Sequence, residues 1–186
     1  MSEKGQVKTD ELDTQADAKR RLALAQIRQY PDPVLRLEAQ EVQTFDSDLA
    51  QLVERMMRLM QDARGVGLAA NQVGVLRRVF VIHADEEEES RALVNPVVVE
   101  RSEESDEDDE GCLSLQGVVV PVERALHVRL EARDPEGNPV TLELEGLPAR
   151  VAQHELDHLD GVLILDRTTA EGRREALAVL RQSAAL

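Results

Sequence analysis

Residues 151–161 read VAQHELDHLDG and hold two of the chain's four histidines. On a helix, positions i and i+4 lie one above the other on a single face. His154 and His158 can therefore grip one ion between them. Glu155 points to the side of that pair, within reach of a water on the ion, where a glutamate serves as general base. A solvated polar helix face is the competing reading. Catalytic sites of this type take three protein ligands and keep one position open, so a third donor has to be found.

Two familiar patterns fail. A third histidine six residues after the second would fall at position 164, which is Ile164. A downstream carboxylate would have to be Asp160, Asp166, Glu171 or Glu175, and only Glu175 could fold back far enough. Upstream, EGCLS (110–114) presents the only cysteine, Cys112, next to Gly111. A bound metal would itself ionise that thiol, and Cys112 with His154 and His158 makes a tetrahedral set with one open position. A second stretch, GVGLAANQVG (65–74), lacks the Lys-Ser/Thr pair of a phosphate loop. Its small residues leave backbone open to close approach, and Gln72 carries an amide donor. Such a stretch suits either a narrow pocket for a small carbonyl group or a tight turn under a sheet.

The elements that must position these groups can be read from periodicity. Residues 46–64 place Leu49, Leu52, Val53, Met56, Met60 and Ala63 on one helical face, with Asp46 or Ser47 as cap and Gly65 as the stop. RRVFVI (77–82), ALVNPVVVE (92–100), LHVRLEA (126–132) and VTLELE (140–145) read as strands, and DPEGNP (134–139) as a hairpin turn. His83 reads as a strand-end residue and His127 as a surface one. The acidic runs 85–89 and 103–110 read as solvated loops. A helix covers 151–159 and another 167–182. The expected fold is α+β: antiparallel strands packed around a central metal-binding helix, with an N-terminal and a C-terminal helix. Residues 1–25 read as a disordered or loosely helical extension, and 26–186 as one catalytic domain.

The chain has 186 residues, a net charge of −15 and only three aromatic side chains. The size suits one domain, and the charge argues against DNA binding or an anionic membrane surface. There is no apolar run of membrane-spanning length, and the N-terminus has neither secretory nor transit character. The cytoplasm is the expected location.

Taken together, GVGLAANQ, EGCLS and QHELDHLDG resemble, in order and spacing, the three motifs of bacterial peptide deformylases. YPDPVLR and GVLILDR match as well, so the resemblance spans roughly residues 26–167. Gln116 departs from it, standing where the family often has proline. The resemblance implies removal of the formyl group from N-formylmethionine on nascent polypeptides. It implies ferrous iron (Fe2+) as the native ion with Zn2+ as another occupant, and the thiolate–imidazole set by its own chemistry suits Ni2+ or Co2+ as well. It assigns Glu155 as the base, and Gln72 and the Leu113 backbone N–H as donors to the developing oxyanion. Gly65 and Gly67 would keep the carbonyl pocket small, and Val66, Leu147 and Val151 would line the methionine pocket. Glu110 and Arg124 would pair to hold the Cys112 loop. A weak ribosome contact through the arginines of the C-terminal helix is a further expectation. The rival readings are a small metallopeptidase using Glu175, and a non-catalytic metal module closed by His83.

Overall fold

The structure, a computed structural model, describes residues 3–83 and 89–184. In chain order its elements begin with helix α1 (Glu3–Leu24), helix α2 (Ser47–Asp62), and strands β1 (Gly67–Ala69), β2 (Val79–Ile82) and β3 (Arg91–Arg101). Strands β4 (Ser105–Gly111), β5 (Val119–Ala125), β6 (His127–Arg133) and β7 (Pro139–Glu145) follow, then helices α3 (Leu147–Leu159), α4 (Ile164–Arg167) and α5 (Ala170–Ala184). Five strands form an antiparallel sheet in the order β1-β2-β3-β6-β7, and β4 pairs with β5 in a separate two-stranded sheet. The fold is α+β, as the sequence implied. Among the described residues, no helix is long and apolar enough to cross a membrane.

Helix α2 forms for the reasons its sequence gives. The Asp46 carboxylate accepts from the Leu49 N–H, satisfying one of the four donors that a helix start leaves without a partner. Its apolar stripe is buried, with Met56 and Met60 fully so, and each such side chain contributes about 1.5–3 kcal/mol. The helix ends differently from the expectation. Arg64, not Gly65, takes the left-handed conformation (φ 59°). The Arg64 N–H donates to Gln61 O and the Gly65 N–H to Met60 O, the two bonds of a Schellman turn.

Four other expectations are corrected. The extension over residues 1–25 is helical from Glu3 to Leu24 and packs on α2, with Ala23 buried. The acidic run 103–110 is largely strand: β4 pairs residue for residue with β5, and only Glu110 of its acids turns inward. Strand β5 was not anticipated. The C-terminal helix is interrupted, α4 ending before Thr168 and α5 starting at Ala170. The run 85–89, apart from Glu89, lies outside the described residues.

Helix α3 sits at the centre. It packs on β1, β2 and β7 of the large sheet and on β5 of the small one. Gly146, with φ 63°, turns the chain out of β7, and Pro148 fits the first helical turn, where no N–H partner is needed. Val151, Ala152, Leu156 and Leu159 pack into the core beside Phe80 and Leu130. A fixed helix in that position can hold polar side chains to a fixed direction.

Candidate active site

Cys112, His154 and His158 come together, their donor atoms all within 4.8 Å of one another. His154 Nε2 lies 3.2 Å from His158 Nε2, which lies 3.3 Å from Cys112 Sγ. Tetrahedral coordination with bonds of about 2.0–2.1 Å to nitrogen and about 2.3 Å to sulfur would separate neighbouring donors by roughly 3.3–3.6 Å. The donor set therefore fits a single tetrahedral cation. Two ring nitrogens so close, each with a lone pair, need a proton or a cation between them. Neither Glu175, exposed on α5, nor His83, at the end of β2, belongs to the cluster.

The imidazoles are oriented from behind. His154 Nδ1 donates to Glu110 Oε2 at 3.0 Å, which fixes the tautomer and leaves Nε2 as the donor atom. Arg124 grips Glu110 with two bonds (2.9 and 3.0 Å) and reaches Asp157 at 2.6 Å. Arg150 adds a second cation to Glu110, and Arg167 a second to Asp157. Burial alone would raise the Glu110 carboxyl; the bonds from His154 and Arg124 overcome it and hold the group at about 2. Burial, helped by neighbouring positive charge, keeps His158 well below the usual histidine range, so its ring is neutral and free to ligate.

Glu155 is placed differently. It is 3% exposed, and its Oε2 has no hydrogen-bond partner. Burial pushes its carboxyl up to about 7, against the pull of His154, a value suited to a base near neutral pH. Gly67 is the reason it fits: a Cβ there would lie 2.3 Å from Glu155 Oε1. A Cβ at Gly65 would meet Leu113 at 2.7 Å. The two glycines thus make room for protein groups of the site, a role that neither the narrow pocket nor the tight turn read from the sequence included.

Gln72 is fixed at both ends of its amide. Its Oε1 accepts from the Ala69 N–H at 2.9 Å, and its Nε2 donates to Ser114 Oγ at 3.1 Å and lies 3.7 Å from Cys112 Sγ. A cleft of about 640 Å³ opens here, lined by Gly65, Val66, Gly67, Gln72, Cys112, Leu113, Leu147, Val151, His154 and Glu155. Val66 and Leu147 stand at its mouth, about half exposed. Three contributions escaped the sequence reading. Ser114 is buried under Gln72, Asp157 closes the arginine network, and α1 lends Arg20 and Leu24 to the cleft wall. A signal existed for Asp157, an acid three residues along the helix from His154, since a buried acid there demands a basic partner. For α1 there was none, because its sequence lacks an apolar stripe.

Residues 24–174 match a family model described as polypeptide deformylase. The chain is 46% identical over 165 residues to peptide deformylase 1 of Corynebacterium glutamicum, covering 88% of this chain and 98% of that one. A peptide deformylase structure from Legionella pneumophila superposes with a TM-score of 0.81 at 40% identity, covering 86% of this chain and 94% of that one. The Thermotoga maritima peptide deformylase gives 0.74 at 43% identity, covering 77% and 96%.

Proposed function

The chain belongs to the polypeptide deformylase family, and we propose how its own residues remove the formyl group from N-formylmethionine at the start of new polypeptides. Cys112, His154 and His158 hold one divalent cation. That cation, when bound, supplies Lewis acidity, lowering the pKa of water toward about 7 and polarising the formyl oxygen. Glu155 accepts a proton from the attacking water through its unpartnered Oε2. As the oxygen nucleophile adds to the formyl carbon, the Gln72 Nε2–H and the Leu113 N–H stabilise the charge developing on the carbonyl oxygen. Glu155 then passes its proton to the amine nitrogen, the C–N bond breaks, and formate leaves. Val66, Leu147 and Val151 take the methionine side chain.

The observation that supports this reading is the convergence of three soft and borderline donors beside a buried, unpartnered carboxylate at the floor of an open cleft. A structural metal module would need neither Glu155 nor Gln72. Thiolate with imidazole suits iron, zinc, nickel and cobalt alike; ferrous iron is the native ion in this reading. A substrate made on ribosomes supports a cytoplasmic location.

Formate release from a formyl-Met peptide by freshly purified protein, under reducing and anaerobic conditions, tests the reading. Stoichiometric formate with the peptide otherwise intact is the expected result. Internal cleavage without formate would favour a peptidase, and no turnover by metal-loaded protein would remove both.

A further inference from the structure

One wall of the cleft includes a residue that lies outside the span that matches the family. The match begins at residue 24, yet Arg20 lines the cleft, as does Arg64 at the end of α2. Both are exposed. The two elements are tied together there: Arg20 Nε donates to Ala63 O at 3.4 Å, and Arg64 Nη2 to Asp17 Oδ1 at 3.2 Å. Arg64 also occupies a backbone position that favours glycine, with φ 59°. A non-glycine residue held there is strained, so this arginine sits against the preference of the backbone. The cleft lining also includes an acidic residue, Asp109 on β4. Side chains of an extended peptide alternate from one face to the other, so a substrate leaving the centre offers successive residues to opposite walls.

On the proposed deformylase reading, we propose that Arg20 and Arg64 form a recognition wall selecting formylated peptides that carry an acidic side chain downstream of the methionine. Asp17 offsets part of the Arg64 charge, and both partners of that pair are largely exposed. The interaction is therefore a surface one. Exposed ion pairs correspond to a discrimination of about two- to five-fold, screened over about 8 Å at physiological salt.

The test compares kcat/KM for formyl-Met peptides with Glu or Lys placed in turn at the second, third and fourth residue. The wild-type enzyme should favour Glu over Lys at one of these positions or more. That preference should sit in KM and shrink as salt rises. R20E and R64E should lose or reverse it, and R20K should keep it. R64G separates recognition from folding. It should raise Tm by about 2–4 °C, while losing the acidic preference. Equal kcat/KM for Glu and Lys peptides at all three positions, or a preference that survives R20E and R64G, overturns the wall. Failure to release formate from any of the peptides overturns the deformylase reading and the wall with it.

Discussion

Two carboxylates on α3, Glu155 and Asp157, are both buried and stand two residues apart. Asp157 accepts from Arg124 and twice from Arg167. Glu155 has one oxygen against Gly67 and the other with no partner. Identical chemistry has been given opposite environments by the faces of one helix. A carboxylate surrounded by guanidinium groups is held rigidly, and can only hold things in place. One in a dry pocket with an oxygen unclaimed can take and return a proton. The Glu110 carboxyl, at about 2, and the Glu155 carboxyl, at about 7, mark the same division.

The widest separation should appear in turnover. Glu155→Gln keeps size and most hydrogen bonding but removes the base, and should lower kcat by roughly 10²–10⁴ or more with metal still bound. Asp157→Asn should leave kcat per metal-loaded molecule much closer to wild type. Its cost should be in stability, about 3 kcal/mol in a denaturant titration, because Arg124 and Arg167 lose a charged partner. Equal loss of kcat in both variants would erase the distinction.

Metal content comes next. Cys112→Ala should lose most of its bound metal by elemental analysis, whereas Glu175→Ala should retain a full complement. Retention by the Cys112 variant would mean that another residue completes the histidine pair.

The pH dependence of stability sharpens the comparison further. In the metal-free protein the Glu155 carboxyl is raised from 4.5 to about 7, so the folded state binds more protons than the unfolded state in that interval. Its contribution to stability is full below pH 4.5 and is lost as pH rises to about 7. Glu110 works in the opposite sense. Its carboxyl is lowered from 4.5 to about 2, so its contribution is present above 4.5 and is lost as pH falls toward 2. Metal-free Glu155→Gln should match the wild type near pH 4.5 and exceed it above pH 7 by roughly 3 kcal/mol. Parallel curves for the two proteins would show that Glu155 is not desolvated.

Smaller effects concern the bound ion and the far helix. The iron form should lose activity in air faster than the nickel form, since ferrous iron on a thiolate invites oxidation of both. Timed assays in air, with a nitrogen control, compare the two. On α5, Ala176 is buried, with Leu177, Val179 and Leu180 packed beside it, leaving Arg173, Arg174 and Arg181 exposed. Arg167 is taken by Asp157. A weak, salt-sensitive ribosome contact would use those three arginines. Co-sedimentation at low salt should fall on removing residues 172–186, and binding unaffected by the truncation would dismiss the contact.

Local patterns were legible in the sequence and distant ones much less so. His154, Glu155 and His158 could be read because a helix repeats over a distance shorter than the motif. The α2 stripe could be read for the same reason, six apolar side chains facing one core. Cys112 lies more than forty residues from His154 and was reached by eliminating other donors. Strand β4 was hidden because nearly all of its side chains are exposed, which removes the alternation that marks a half-buried strand. Strand β5 contains Pro121, which argues against a central strand; it has a pairing partner on one side only. Helix α1 carries no apolar stripe, and its order comes from contacts with α2 that no local pattern encodes. The arginines that saturate Glu110 and Asp157 come from β5, α3 and α4, so only the folded chain brings them together.

The contact between Gly67 and Glu155 has an evolutionary side. Residues 67 and 155 are far apart in the gene, yet one methyl group on the first would occupy the space of the carboxylate on the second. Mutational drift at position 67 is therefore drift in the catalytic base under another number. An alanine there would leave the thiolate and both imidazoles untouched and still yield an enzyme with its proton acceptor turned aside. A family tree built on ligand residues alone would count such a variant as intact.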